Sequence, residues 1–119
     1  MGYLRSKEGK WDIALKELKE ANNQSPNNAE ILRCLGWALF HSNQRAQGVV
    51  TLERALNLDQ GNPLTLCDLG SAYLEVRNFA KARALFQRAI EIDPENKRAR
   101  ECAQMTDRLM VTFDKVRKG

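Results

Sequence analysis

The sequence predicts an all-α fold built as an array of helical hairpins, and three observations support this prediction. The chain repeats itself at an offset of 34 residues, so that Leu35-Gly36 recurs as Leu69-Gly70. Within each repeat the apolar residues recur at spacings of three and four, which is typical of a helix with one buried face. No stretch alternates apolar and polar residues as a half-buried strand does. Each repeat is therefore expected to form a helix, a tight turn and a second helix.

The repeat period divides this single domain of 119 residues into four segments. They are a truncated first repeat at 1–28, a second repeat at 29–62, a third repeat at 63–96, and a capping helix with a tail at 97–119. Within the repeats, turns are expected near Gly9, at Ser42-Asn43 and at Arg77-Asn78. Between the repeats, asparagine and aspartate side chains are expected to cap the helix that follows.

The second helix of the repeat 29–62 departs from the pattern of its neighbours. Gly48 stands in the column that Ala14 and Ala82 occupy, and two β-branched valines follow it. Because glycine and β-branched residues have low helix propensity, we expect this helix to be the least stable one. On propensity alone, Gly48→Ala is expected to stabilise the fold by about 0.5 to 1 kcal/mol.

The last segment places apolar side chains on one helical face and mostly polar ones elsewhere. The apolar face comprises Ala99, Cys102, Ala103, Leu109, Met110, Phe113 and Val116. A terminal helix of this kind covers the last repeat with its apolar face and turns its polar face to water. A helix lying on a membrane surface is the alternative, but the acidic residues of the segment and its place soon after Pro94 favour capping.

The charge distribution argues against a nucleic-acid partner. The chain has 19 basic and 15 acidic residues, but residues 97–119 alone hold seven of the basic and three of the acidic ones. The other segments are close to neutral, so no continuous basic surface is expected along the array. No stretch approaches the ~18 uninterrupted apolar residues of a membrane helix, so no membrane partner is expected.

The residues that carry chemistry do not form a catalytic or metal-binding set. His41 is the only histidine, and nucleotide-binding, hydrolase and zinc-protease motifs are absent. Cys34, Cys67 and Cys102 are widely spaced and form no CxxC pair. We therefore expect a protein that is not an enzyme and has neither cofactor nor metal. Its free thiols indicate a reducing, cytoplasmic compartment.

The third repeat carries the most specific pattern, which is Leu66-x2-Leu69-Gly70-x2-Tyr73, then Ala82-x3-Phe86, then Ala89 and Pro94. This pattern resembles the tetratricopeptide repeat family, and the resemblance covers residues 1–96. It implies a right-handed superhelical array of about two and a half helix-turn-helix repeats, with a concave groove that binds peptide segments. It also implies a non-catalytic adaptor or scaffold, either complete or an excerpt of a larger protein.

The resemblance places the groove on particular residues of the first helices. These residues are Tyr3, Lys7, Arg33, Trp37, Phe40, His41, Cys67, Ser71 and Leu74. Aromatic side chains such as Trp37 and Phe40 are frequent energetic anchors of interfaces, so the middle of the groove is the expected centre of binding. The alternative is that both aromatic side chains pack into the interior between repeats.

A protein or peptide segment with an apolar anchor is the expected partner. Some members of the family that bind chaperone tails hold a terminal carboxylate with basic and amide side chains. The positions available for such a clamp are Tyr3, Cys34, Leu64 and Asp68. None of them fits this role, so a carboxylate-terminal chaperone tail is not expected, whereas Arg33 and Lys7 are expected to contact acidic residues. The alternative function is a structural homo-oligomer that dimerises through the incomplete N-terminal repeat.

Overall fold

The protein, in a computed structural model, forms six α-helices within the described residues. The structure describes the backbone of residues 2–118 and the side chains of residues 11–115. The helices are α1 (Gly2–Gln24), α2 (Ala29–His41), α3 (Arg45–Leu58), α4 (Pro63–Glu75), α5 (Phe79–Ile92) and α6 (Lys97–Lys118). No strand occurs in this part of the chain, so the all-α prediction is confirmed.

The 34-residue period of the sequence is also the period of the helices. The helices α2, α4 and α6 begin at Ala29, Pro63 and Lys97, which are 34 positions apart, and α3 and α5 begin at the same spacing. The chain forms two compact units, residues 1–60 and residues 61–119. The first, called the N-terminal unit, contains α1 to α3, and the second, called the C-terminal unit, contains α4 to α6.

Equivalent asparagines begin α2, α4 and α6, as the sequence predicts. The Oδ1 atom of Asn28 accepts a hydrogen bond from the backbone N–H of Ile31 at 3.0 Å. Asn62 accepts from Leu64, and Asn96 accepts from Ala99, also at 3.0 Å. Each cap satisfies a backbone donor that the helix itself leaves without a partner.

Inside the two complete hairpins, the first helix is followed by a residue with left-handed backbone. This residue is Asn43 after α2, with φ 68°, and Arg77 after α4, with φ 63°. The next residue folds back, so that the N–H of Asn78 donates to the carbonyl of Tyr73 at 2.9 Å. These turns satisfy the last carbonyls of the helices in a position where glycine is the usual residue.

The predicted turn near Gly9 does not form, because α1 runs without a break from Gly2 to Gln24. A single interior glycine lowers helix stability by only about 1 kcal/mol, and the residues around it include good helix formers such as Arg5, Lys7 and Glu8. The glycine therefore weakens the helix locally without ending it.

The N-terminal unit packs α1 and α2 around a buried cluster and brings α2 very close to α3. Leu15 of α1 meets Leu35, Ala38 and Leu39 of α2 in this cluster. Trp11 and Leu18 pack against it from α1. These contacts fix the side of α2 that faces solvent.

The packing around Gly48 contradicts the expectation that Gly48→Ala stabilises the fold. A Cβ atom added at Gly48 would lie 2.7 Å from the backbone nitrogen of Phe40 and 2.8 Å from the carbonyl oxygen of Gly36. Both atoms belong to the backbone of α2, which cannot move aside as the end of a side chain can. Gly48 is therefore needed where α2 and α3 cross.

The C-terminal unit has its own core, in which α5 and α6 cover α4. Phe86 is fully buried, and a Cβ atom at Gly70 would lie 2.7 Å from its Cε1 atom, so the missing side chain makes room for the ring. Among the side chains of α6 that the structure describes, Ala99 and Thr106 are fully buried. Leu109 and Phe113, expected on the same buried face, remain 39% and 41% exposed.

Candidate protein-binding surfaces

Three of the predicted groove residues form one stripe along α2. Arg33, Trp37 and His41 are four residues apart, which places them on the same side of the helix. All three are half-buried, so each presents part of its side chain at the surface. The rings of Trp37 and His41 meet edge to face, with centroids 4.3 Å apart. We call these three residues the α2 stripe.

His41 also joins α2 to α1 through an aromatic cluster. Its ring stacks on Trp11 of α1, with centroids 5.6 Å apart and an angle of 15° between the planes. It contacts the ring of Phe40 edge to face at 5.5 Å. Within the described residues, the Nε2 atom of His41 is buried and has no hydrogen-bond partner. The imidazole therefore acts mainly as an aromatic ring in this cluster, and its packing orients the C-terminal end of the α2 stripe.

Phe40 does not belong to the exposed surface of α2, contrary to the prediction. Its side chain is only 2% exposed, and the guanidinium of Arg45 lies 5.4 Å from the centre of its ring. Successive residues of a helix are rotated by about 100°, so Phe40 and His41 cannot share one face. The alternative that the sequence left open, an interior position, is the one observed for Phe40, whereas Trp37 stays partly exposed.

Cys67 is also buried, contrary to the prediction that it lines a groove. It is 1% exposed, and burial raises the pKa of its thiol, an effect that the nearby Arg98 opposes in part. Arg98 and Cys102, whose charges influence the thiol, both belong to α6, so α6 covers this part of α4. Ser71 and Leu74 of α4 are half-buried and remain partly accessible.

The carboxylate of Asp68 is held inside the C-terminal unit. Asp68 is buried, and its Oδ1 atom lies 2.9 Å from the Nη2 atom of Arg98 in α6. One turn earlier, the apolar side chain of Leu64 is exposed. These two positions were considered for a carboxylate clamp, and neither offers a positive charge to a ligand.

A cavity of about 380 Å³ opens where α6 passes the turn between α4 and α5. Its apolar walls are Leu74, Phe79, Leu109 and Phe113, and its polar lining is Glu75, Arg77 and Thr112. The rings of Phe79 and Phe113 meet edge to face at 5.9 Å, which joins the start of α5 to α6. We call this cavity the α6 pocket.

The remaining sequence-based expectations have different outcomes. The side chains of Tyr3 and Lys7 lie outside the described residues. Cys34, Cys67 and Cys102 are free thiols, and the cytoplasmic location stays a prediction. Within the described residues, no three histidine, cysteine or acidic side chains gather as a metal site would require, and no helix has the length and apolar character to cross a membrane. Arg77 lies in a turn that the sequence predicts, and its left-handed backbone recurs at the repeat spacing from Asn43.

Comparison with known proteins gives matches over most of the chain. Two tetratricopeptide repeat family models match, one over residues 6–64 and the other over residues 63–96. Human peptidyl-prolyl cis-trans isomerase FKBP4 is 32% identical over 114 residues, which cover 83% of this chain and 25% of that protein. The human antiviral innate immune response effector IFIT1 is 28% identical over 117 residues, which cover 81% and 24%. The chain thus spans about a quarter of the length of these curated relatives.

A solved structure confirms the helical repeat fold. The first tetratricopeptide domain of Spaghetti (RPAP3), bound to the HSP90 peptide SRMEEVD, matches with a TM-score of 0.81 at 19% identity. The match covers 92% of this chain and 87% of that one. At this level of identity the likeness concerns the fold.

Proposed function

The chain belongs to the tetratricopeptide repeat family, and from this premise we propose that it is a protein-interaction module that holds a segment of another protein. The family and its fold are generally non-catalytic. In the proposed mode, the partner segment lies along the partly exposed side of α2, and no bond is made or broken. An adaptor or scaffold role, within a longer protein or alone, follows from this mode of binding.

The observation that carries this proposal is the α2 stripe. Trp37 offers a large, partly exposed aromatic surface whose orientation is restricted by its contact with His41. Rigid aromatic side chains lose little conformational entropy on binding, which is why they recur among the residues that dominate binding energies. Arg33, one turn away, adds a cation that can pair with an acidic residue of the partner.

The partner segment that this surface favours is apolar or of mixed polarity. The Spaghetti domain, which has a similar fold, is bound to the HSP90 peptide SRMEEVD, whose last residue is aspartate. In this chain the buried Asp68 is already paired with Arg98, and Leu64 presents an apolar side chain instead of a cation. Binding of a chaperone tail through its terminal carboxylate is therefore not part of the proposal.

The proposal is tested by measuring partner capture with variants of the α2 stripe. The partners that the immobilised chain retains from a cell extract are identified, and each is then titrated against purified wild-type and variant chains. We expect Trp37→Ala to weaken binding at least about tenfold, as removal of an anchor residue does. Leu58→Ala, which truncates an exposed apolar residue of α3, is the matched control and should leave affinity unchanged. Equal affinities for wild type and Trp37→Ala would contradict the proposal.

The same titrations decide the chaperone question. We expect the peptide SRMEEVD, which the Spaghetti domain binds, to show no specific binding to this chain. Saturable binding that disappears when the terminal carboxylate is amidated would show that the expected apolar partner is wrong.

Self-association is the second candidate function, and the exposure of Ile13 on α1 favours it. A large apolar side chain that is mostly exposed can pair with its copy in a second chain. Light scattering over a concentration series tests this candidate. A dimer that Ile13→Lys converts to a monomer would support it, and a monomer at all concentrations would exclude it.

A further inference from the structure

We propose that one side of α1 receives an amphipathic helix of a partner protein, and that a glycine of this helix packs against Leu18. This side is formed by Ala14, Leu18 and Ala21, which are three or four positions apart and therefore share one face of the helix. We call it the open face of α1. The inference goes beyond the proposed function, because it concerns a second surface, within the N-terminal unit, and a partner that binds as a helix.

The open face is less covered than the equivalent faces of α3 and α5. Its three residues correspond to residues of α3 at an offset of 34, and to residues of α5 at a further 34. All six equivalent residues are buried, namely Gly48, Leu52 and Ala55 on α3, and Ala82, Phe86 and Ala89 on α5. Ala14, Leu18 and Ala21 are only half-buried. The open face therefore has the residue pattern of a covered surface, while part of it stays in contact with water.

The two complete hairpins show what kind of helix covers such a face. A Cβ atom added at Gly36 of α2 would lie 2.7 Å from the Cγ atom of Leu52, and one added at Gly70 of α4 would lie 2.7 Å from the Cε1 atom of Phe86. In both hairpins, a glycine of the covering helix thus packs against the residue that is equivalent to Leu18. The glycine leaves room for the large side chain of the covered helix.

The apolar pattern of the covering helix is also the same in both hairpins. Residues 32–38 of α2 and 66–72 of α4 both read Leu-x2-Leu-Gly-x-Ala, and all their leucines and alanines are buried. Within the described residues of the N-terminal unit, α1 packs against α2, where Leu18 borders the buried cluster around Leu15. A helix with this pattern on the open face would therefore extend an interface that already exists.

Glu17 gives the partner helix a charge preference. Its side chain is exposed, and within the described residues it forms no ion pair. The residues three or four positions from it are Ile13, Ala14, Glu20 and Ala21, so no cation of α1 lies one turn away. Ile13 is 61% exposed on the same edge. A partner helix with a lysine or arginine beside its apolar face can pair with Glu17 while its apolar residues cover the open face.

The test uses three capped peptides of about 16 residues, long enough to form a helix. The first carries Leu-x2-Leu-Gly-x-Ala with one lysine beside the apolar face, the second has leucine in place of the glycine, and the third has glutamate in place of the lysine. Each is titrated into the isotopically labelled full chain, and backbone amide resonances are followed by NMR. We expect the first peptide to shift the resonances of 11–24 and to bind at least about tenfold more tightly than the second.

The comparison of the first two peptides separates docking from helix content. Leucine has a higher helix propensity than glycine, so the second peptide is the better helix in isolation. A preference for the first peptide therefore reports the close approach of the two helices. Equal or tighter binding of the second peptide, or no shift of the resonances of 11–24, would overturn the inference.

Variants of the chain locate the contact on α1. We expect Ala21→Gln to weaken the first peptide at least about fivefold, because the larger side chain occupies the space of the partner helix. Asn23→Gln is the matched control, since Asn23 is exposed and lies on the far side of α1 from Ala14. Thermal melts of both variants exclude a loss of folding as the cause. Equal effects of the two glutamine variants would contradict the inference.

Charge reversal tests the role of Glu17. We expect Glu17→Lys to bind the glutamate peptide better than the lysine peptide, the reverse of the wild-type preference. Glu91→Lys is the matched control, because Glu91 is an exposed glutamate of α5 in the C-terminal unit. An unchanged preference in Glu17→Lys, or the same reversal in Glu91→Lys, would refute the role of Glu17.

Two other occupants of the open face are outcomes of the same experiments. NMR contacts between residues 1–8 and Leu18 in the free chain would show that the chain covers this face itself, and would overturn the inference. A dimer of the free chain in light scattering that Ala21→Gln dissociates would do the same, because a second copy would then be the occupant. The open face does not include Trp37, so its failure as a site leaves the proposal for the α2 stripe unchanged.

Discussion

Gly48→Ala is the perturbation that most directly tests the packing of the N-terminal unit. The substitution removes an interior glycine from α3, which gains about 1 kcal/mol in helix propensity. The added Cβ atom would approach the backbone nitrogen of Phe40 to 2.7 Å and the carbonyl oxygen of Gly36 to 2.8 Å. Relieving such overpacking costs about 1 to 3 kcal/mol, and the upper part of this range applies because backbone atoms must move.

The balance of these two effects is a loss of stability of about 1 to 2 kcal/mol. For a domain of this size, that loss corresponds to a melting temperature lower by about 4 to 8 °C, measured by circular dichroism or calorimetry. Gly61→Ala is the control, since no atom lies within 4 Å of the added Cβ and the backbone does not need a positive φ. It should be neutral or stabilise by up to about 1 kcal/mol. If Gly48→Ala raises the melting temperature as the control does, helix propensity dominates and the crossing argument is refuted.

Three further predictions concern buried polar groups. His41→Phe should keep the ring contacts and remove the unpartnered Nε2 atom, so its stability should equal or exceed that of wild type, whereas His41→Ala should lose about 2 kcal/mol in a thermal melt. Asp68→Asn should lower the free energy of unfolding, measured with urea, by about 1 to 2 kcal/mol. This loss is smaller than that for a fully buried ion pair, because Arg98 is partly exposed. An unchanged urea midpoint would exclude a structural role for the pair. Because burial raises the pKa of Cys67, the thiol keeps its proton up to a higher pH in the folded state than in the unfolded state. Stability should therefore fall as pH rises above the ordinary cysteine pKa, and Cys67→Ser should reduce this slope.

The helix boundaries were predictable because local chemistry determines them. Asn28, Asn62 and Asn96 cap helices through bonds to residues two or three positions away, so the residue type and its spacing are sufficient. The expected turn near Gly9 failed for the opposite reason. A glycine permits a left-handed turn without requiring one, and the sequence around it supports a continuous helix.

The role of Gly48 was not predictable from propensity, because it depends on the distance between two helices. Helix propensity is a property of one segment, whereas the space beside Gly48 is limited by the backbone of Phe40, eight positions earlier in the chain. The 34-residue alignment gave the position as equivalent to Ala82, which has room for its methyl group. Equivalent columns of a repeat therefore need not have equal crossing distances.

The candidate site was predictable in part. Arg33, Trp37 and His41 form the expected stripe because the repeat register fixes which side of α2 they occupy. Cys67 has the corresponding register on α4, yet α6 covers it, and only the packing of α6 reveals this. The α6 pocket was missed since it combines residues from three helices and a turn.

The aromatic cluster at His41 restricts the intrinsic tryptophan fluorescence of the protein to one region. The chain has two tryptophans, Trp11 and Trp37, and both touch the same imidazole ring. Indole fluorescence therefore reports on the α2 stripe and on the attachment of α1, and residues 61–119 contribute no tryptophan to the spectrum. A ligand at the α2 stripe should change the tryptophan emission directly, whereas a ligand in the α6 pocket should leave this emission unchanged. One fluorescence titration can therefore distinguish binding at the two sites.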